Sequence, residues 1–323
     1  MTKRAERAGA GVADGRVWRR GRVLAGTAVF AGLLLLFHGV VPNRPGGLGS
    51  LLESFLPWLG VPVVVLLVLA LVRRSPLALV ALLLPAAAWT YLFGGLLLPA
   101  PEPGDDDLVV VQHNVSDENP DPEGTARALV RAEPDLIALE ELVSPALEVY
   151  AEALAPDYAY RTVRGTVGLW SKHPLDGTGP LDIAPQGIGA GWERGLRAVA
   201  HTPRGEIAVH VAHLPSVRVR ASGLASSWRD ESAGLLGDAL DAEEQSRVVL
   251  LGDLNGTVDD RALAPLTSRL DVAERGLALS FPAGFPVARI DQVMARGATV
   301  ESVRTLSATG SDHLPVAARV TWD

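Results

Sequence analysis

Polar residues able to hold a hard metal ion or move a proton recur in the last two thirds of this 323-residue chain, at places where strands are expected to end. They are Asn114, Glu141, His213, Asp253 with Asn255, Asp291, and Asp312 with His313. A buried strand that stops on a carboxylate sets that group at the rim of a sheet, where a ligand can reach it. Carboxylates and an Asn amide oxygen are hard donors suited to Mg2+ or Mn2+. The chain has no cysteine, which excludes thiolate sites, and its histidines lack the spacing of a zinc-binding helix. Groups of these types suit attack on a phosphate ester, whose anionic oxygens repel a nucleophile. A divalent cation neutralises those oxygens. A carboxylate can orient or deprotonate water, and a histidine held by an aspartate can donate a hydrogen bond to the phosphoryl group.

Each group has a plainer reading when taken alone. Gly252-Asp253-Leu254-Asn255 is equally a turn after a strand, because Gly, Asp and Asn are turn formers. Asn114 could cap a turn, Asp312-His313 could lie in a loop, and a lone His213 is more often packed than catalytic. Their occurrence together, in one order and in one domain, shifts the weight toward chemistry.

The elements that must position them are legible from patterning. Short apolar, β-branched runs predict strands over residues 108–111, 135–139, 167–170, 248–251, 290–295 and 316–321. Residues 196–201 and 206–213 read as two strands of a hairpin around Pro203-Arg204-Gly205. Helical spacing covers 122–131, 144–154 and 233–243. Many short strands with interspersed helices indicate an α/β domain with both strand types, not a simple alternating parallel sheet.

Seven motifs in register carry a resemblance. They are Val111-Gln112-His113-Asn114-Val115, the run from Pro134 to Glu140-Glu141, Gly168-Leu169-Trp170-Ser171-Lys172-His173-Pro174, Ala212-His213-Leu214, Gly252-Asp253-Leu254-Asn255, Arg289-Ile290-Asp291 and Ser311-Asp312-His313-Leu314-Pro315. The region from about Leu108 to Trp322 resembles the endonuclease/exonuclease/phosphatase superfamily, the DNase I-like fold. The resemblance implies a four-layer α/β sandwich of two mixed sheets flanked by helices. It also implies metal binding by Asn114, Glu141 and Asp312, with Mg2+ or Mn2+ as cofactor. By the same token Asp253 orients or deprotonates water, Asn255 binds phosphate, Asp291 orients His313 against the scissile phosphate, and His213 stands near the leaving group. There are departures from the family pattern. Glu140 replaces the usual Gln before the metal Glu; strand alternation lets only one of Glu140 and Glu141 face the site easily, and the register favours Glu141. Ala212 and Gln292 also replace residues common in the family, and these changes bear on the substrate.

The first third of the chain is different in kind. Apolar runs at about residues 23–41, 55–72 and 77–98 each approach the length needed to cross a bilayer as a helix. A cleaved signal peptide would supply only one such run. The organisation expected is a basic tail over 1–22, three transmembrane helices over 23–98, an acidic linker over 99–107 and the catalytic domain over 108–323. Basic residues crowd the N-terminal flank and Arg73-Arg74 follow the second run, whereas the segment after the third run holds none. That bias places the N-terminus in the cytoplasm and the catalytic domain outside the cell.

Charge narrows the partner. Residues 105–323 hold 19 Lys and Arg against 33 Asp and Glu, so the domain is strongly acidic. Nucleic-acid binding rests on cationic side chains that displace counterions, so nucleic acid is a poor fit and the bilayer a better one. The layout is similar to that of actinomycete extracytoplasmic membrane phosphatases linked to glycopeptide resistance, which implies a lipid-linked phosphate or pyrophosphate of the cell-wall cycle. Beyond His213, Arg218 and Arg220 alternate with valines and are expected to hold the second phosphate, with Leu224 and Trp228 beside a lipid chain. Two alternatives stay open, an extracellular nuclease and a non-catalytic protein that binds an envelope ligand.

Overall fold

The computed structural model describes residues 21–44, 46–101, 104, 107–221 and 223–322. Most of the expected basic tail, and Glu102, Pro103, Asp105 and Asp106 of the expected linker, lie outside the described residues. The described residues form two compact units, one from 21–42 with 55–95 and the other from 43–54 with 96–322.

The first unit is helical. Helices α1 (Arg22–Leu36), α3 (Gly60–Val72), α4 (Pro76–Ala81) and α5 (Leu83–Phe93) pack around Ala25, Ala28, Val63, Leu66, Ala70, Ala78 and Leu82. α1 turns a face of small residues inward, and a Cβ on Gly32 would fall 2.7 Å from the Leu84 side chain. Large apolar side chains such as Phe30, Val64, Val68 and Val72 stay exposed.

Of the three expected membrane-spanning helices, one, or two if a bent pair counts as one span, has the length and composition of a span among the described residues. Among the described residues only the helix from Pro76 to Phe93 is long and apolar enough to cross a bilayer. Helix α2 (Leu48–Ser54) and the helical run Leu56–Val72 qualify only if counted as one broken span. α1 is 15 residues long, about 22 Å at the helical rise. The local causes are readable. Pro42 forces Val41 into an extended conformation, so the first run cannot stay helical to its end. Pro57 sits in the first turn of the second run, where proline is tolerated, and the 72° bend lies before it between Ser54 and Leu56, while Gly94-Gly95 close the third run.

The second unit holds two six-stranded mixed sheets, face to face, with helices outside. The first sheet has the order β13-β14-β1-β2-β4-β3, where β1 is Leu108–Asn114, β2 Leu136–Glu140, β3 Tyr160–Arg164, β4 Val167–Ser171, β13 Thr299–Thr305 and β14 Val316–Thr321. The second has the order β11-β12-β10-β7-β6-β5, where β5 is Leu175–Pro180, β6 Gly195–Thr202, β7 Gly205–Ala212, β10 Val248–Asp253, β11 Asp271–Val272 and β12 Asp291–Arg296. Helices α6 (Pro122–Val130) and α7 (Ala146–Leu154) cover the outer face of the first sheet. Helices α8 (Ser227–Asp241) and α9 (Ala264–Thr267) cover that of the second. A further hairpin, β8 (Arg218–Arg220) with β9 (Gly223–Ala225), projects from the second sheet's side of the unit.

The core between the sheets explains where the polar residues go. Val110, Leu136, Ala138, Val209, Val211, Val249, Leu251, Val293 and Ala295 fill it. Side chains two apart share a face of a strand. The same alternation therefore carries Gln112, Asn114, Glu140, His213, Asp253 and Asp291 to one rim of that space. The apolar positions bury the sheets against each other, and the next position along each strand supplies the chemistry.

Candidate active site

Asp253 is the hub. It is buried at the end of β10, and one of its oxygens, Oδ2, is 3.1 Å from Asn114 Nδ2, which donates to it. The same oxygen lies 3.6 Å from His213 Nε2 and 3.8 Å from His313 Nε2. The other oxygen accepts the Asn255 backbone N–H at 2.9 Å. Burial pushes the Asp253 carboxyl up to about 7, so a group ordinarily ionised in water is poised as a base near neutrality. The preceding residue must be glycine. Gly252 has φ +154, and a Cβ there would fall 1.9 Å from the Ala212 carbonyl oxygen.

His313 and Asp291 form a second pair. His313 Nδ1 is 2.8 Å from Asp291 Oδ2, which fixes the ring and leaves Nε2 toward Asp253. Burial alone would lower His313, but the Asp291 and Asp253 charges raise it to about 10. Burial likewise opposes ionisation of Asp291, yet the charge and hydrogen bond of His313 hold it below the ordinary carboxylate range. His213 is the opposite case, since burial and then the nearby Arg194 cation lower it to about 3. The site thus pairs a cationic histidine with a neutral one.

Glu141 lies just past β2 with φ +61, and its Oε1 is 3.8 Å from His213 Nε2. Its side chain is 28% exposed, so it faces the opening of the site. Glu140 is the residue on the inter-sheet face. Gln112 Nε2 donates to Glu140 Oε2 at 2.8 Å and to Asp291 Oδ1 at 2.9 Å. Burial, followed by the charges of Asp291 and Asp253, raises Glu140 well above its ordinary value. The expectation that alternation admits only one of the two glutamates fails for a local reason: Glu141 has left the strand, and its left-handed backbone redirects it.

The expected site residues are therefore brought together at one rim, with two qualifications. Asn255 is adjacent, with φ +48, and its carboxamide donates to the Leu214 carbonyl at 2.9 Å. Asp312 points outward and is exposed; its negative charge is one of those raising His313. Asp253, Asp291 and His313 offer ligand atoms within 4.8 Å of one another. With Glu141 and Asn114 beside them, this is a donor set of mainly hard oxygens that fits a divalent cation such as Mg2+ or Mn2+.

A cleft of about 440 Å3 is lined by Arg194, Arg218, Arg220, Trp192 and Trp228, among others. Arg218 and Arg220 flank Val219 on β8 and so share a face of that strand. Patterning left Arg194 unnoticed. It stacks over Trp192 at 5.6 Å, and its Nη1 is 3.2 Å from His213 Nδ1. A signal existed, because counting back from the Pro203-Arg204 turn through the β6–β7 register sets Arg194 opposite His213, and His213 N donates to its carbonyl at 2.8 Å. Gln112 carried no comparable signal.

Residues 111–313 match the model of the Endonuclease/Exonuclease/phosphatase family. No curated protein matches the chain. Solved structures do. An endonuclease/exonuclease/phosphatase from Beutenbergia cavernae is 21% identical, with a TM-score of 0.53 over 67% of this chain and 72% of that one. Sphingomyelinase C from Streptomyces griseocarneus is 20% identical, with a TM-score of 0.50 over 66% and 99%. D. rerio TDP2, in complex with a single-strand DNA product, is 15% identical, with a TM-score of 0.55 over 67% and 100%. At these identities the likeness speaks to the fold. The family match spans more than half of the residues and includes every strand end that bears an expected catalytic group, so this chain belongs to the endonuclease/exonuclease/phosphatase family.

Proposed function

We propose that this chain is a membrane-anchored, divalent-metal-dependent phosphoric ester or pyrophosphate hydrolase. Its substrate is a lipid-linked phosphate or pyrophosphate of the cell-wall cycle, reached from outside the cell, and its action contributes to glycopeptide resistance. The observation that carries the reading is the convergence of Asp253, His313 with Asp291, and His213 at one rim, directly beside the arginine-lined cleft.

The residues divide the work. Asp253 accepts the proton of the attacking water. His313, cationic and held by Asp291, donates Nε2–H to a phosphoryl oxygen and gains most where negative charge is greatest, in the transition state. His213, joined to the cleft by Arg194, stands on the leaving-group side. Glu141 and Asn114 would hold the metal ion, which when bound supplies charge neutralisation at the phosphoryl and leaving oxygens. Arg194, Arg218 and Arg220 bind a second phosphate, because a planar guanidinium can engage two oxygens at once.

Support for the membrane comes from the apolar helix spanning Pro76–Phe93 and the large apolar side chains exposed on α1 and α3. The acidic balance of the catalytic domain disfavours a nuclease. The deciding experiment measures Mg2+-dependent phosphate release by the full-length protein from a lipid pyrophosphate, a soluble phosphomonoester and DNA. Preference for the lipid pyrophosphate is expected. Preference for DNA would establish the nuclease instead, and no release from any of the three would point to a non-catalytic ligand-binding role.

A further inference from the structure

Glu53 is the only acidic residue between Asp14 and Glu102, a stretch otherwise dominated by apolar side chains. It is buried, on α2, within the segment 43–54 that belongs to the catalytic unit although it lies between the first two apolar runs in sequence. Its carboxylate accepts Arg261 Nε at 2.7 Å, Arg261 Nη2 at 2.8 Å and the Arg261 backbone N–H at 3.0 Å. A Cβ on Gly49 would fall 2.7 Å from Arg261 Cζ, so the helix lies flat against the guanidinium.

The same segment touches the arginine hairpin. The Gly46 carbonyl accepts the Leu224 N–H at 2.8 Å. Gly223 has φ +112, and a Cβ there would fall 2.0 Å from the Gly46 oxygen. Gly223 pairs with Arg220, and Ala225 with Arg218, so the contact sits directly behind the two cleft arginines.

A second route leads from Arg261 into the catalytic loop. The neighbouring Asp260 is buried and bonds Arg229 Nη2 at 2.7 Å. Arg229, itself buried, donates from Nη1 to the Asn255 carbonyl at 2.8 Å. Residues 43–54 thus meet the site twice, at the hairpin that bears Arg218 and Arg220 and, through two successive ion pairs, at Asn255.

We propose that residues 43–54 act as a strap that positions the arginine hairpin and the Asn255 loop, with Glu53 as its positioning residue, so that the substrate cleft is complete only while this segment is seated on the catalytic unit. The role in substrate binding rests on the hydrolase reading above; the positioning itself does not. A buried, bidentate carboxylate–guanidinium pair is costly to break from one side, because the remaining charge is stranded. Loss of Glu53 should therefore release both places that the strap holds.

The test uses the full-length protein in detergent micelles, with Glu53→Arg, Arg261→Glu and the two combined. Amide hydrogen exchange is followed over residues 216–226 and 253–262, with β1 and β10 as internal references. Each single reversal should speed exchange in both segments about tenfold or more while the reference strands hold. The combined variant should restore protection, since the pair is re-formed with its ends exchanged. In parallel, KM for a short-chain lipid pyrophosphate should rise about tenfold, more than kcat falls, and recover in the combined variant. Should a reversal fail to fold, Glu53→Gln and Arg261→Lys report on the same segments. Unchanged exchange at 216–226, exchange that rises uniformly through β1 and β10, or no recovery in the combined variant would each overturn the strap. Absence of hydrolysis in the unaltered protein would sink the functional reading and leave the exchange result to decide this one.

Discussion

Replacing Asp291 with Asn tests the catalytic pair most sharply, because it keeps the shape and an acceptor oxygen while removing the charge. In the unaltered site His313 is raised from 6.5 to about 10, with Asp291 the leading charge that overcomes burial. Without that charge, burial and the remaining Asp253 oppose each other, and the ring should return to about 6.5 or lower. At pH 8 the protonated fraction of His313 would fall from nearly all to about 3%. Population alone then costs about 30-fold in turnover, and loss of ring orientation brings the total to about 10²–10³-fold. At pH 6, with a value of about 6.5, about three quarters of the variant's rings are protonated, so the deficit should shrink nearly to the orientation part, about tenfold. The assay is Mg2+-supported phosphate release from a soluble phosphomonoester, expressed as the ratio of variant to unaltered kcat across pH 6 to about pH 9. Stability supplies an independent check with a defined sign. The folded value of His313 lies above its ordinary one, so the pair stabilises the fold below about 6.5, and this contribution is lost as pH rises through about 10. The Tm deficit of Asp291→Asn should therefore be largest between about pH 4 and about pH 6.5, where Asp291 is ionised and His313 is protonated in both states, shrink as pH rises, and disappear above about pH 10. A kcat deficit that is constant across the range, or less than about threefold at pH 8, would refute the assignment of a cationic His313.

Other outcomes follow from the same geometry. Asp253→Ala and His313→Ala should each lower kcat about 10²-fold or more while the protein stays folded by circular dichroism; near-normal turnover would remove that residue from the mechanism. Glu141→Gln should raise the Mg2+ concentration for half-maximal activity about 10–100-fold, whereas Glu140→Gln, buried between the sheets against Gln112, should change it little; the reverse ranking would reassign the metal ligand. Gly252→Ala should lower Tm sharply, with a cost of about 4 kcal/mol or more, because its Cβ would collide with a backbone oxygen in a conformation that only glycine adopts readily. A reporter active only in the cytoplasm, fused after Trp322, should be silent, and strong activity would invert the topology.

The sequence alone determined the parts that depend on local chemistry. Strand ends at Asn114, Glu140 and Asp253 could be read because apolar, β-branched runs stop there on polar groups, and their order, with Asp291 at the start of a later run, carried the family. The β6–β7 hairpin was legible from its turn, and the acidity of the catalytic domain from simple counting. Tertiary structure decided the rest. Apolar length overestimated the first helix, because Pro42 acts through backbone geometry that a hydropathy pattern does not register. Alternation admitted only one of Glu140 and Glu141 to the site, and it could not show that Glu140 lies between the sheets while Glu141 reaches the site through a left-handed backbone. Arg194 reaches His213 only across a strand pair, and Gln112 joins Glu140 to Asp291 only where the two sheets meet. Glu53, read along the chain, is a lone charge between apolar runs; its partner Arg261 lies 208 positions away. Contacts of that range arise from how sheets and loops pack, and no local pattern of residues encodes them.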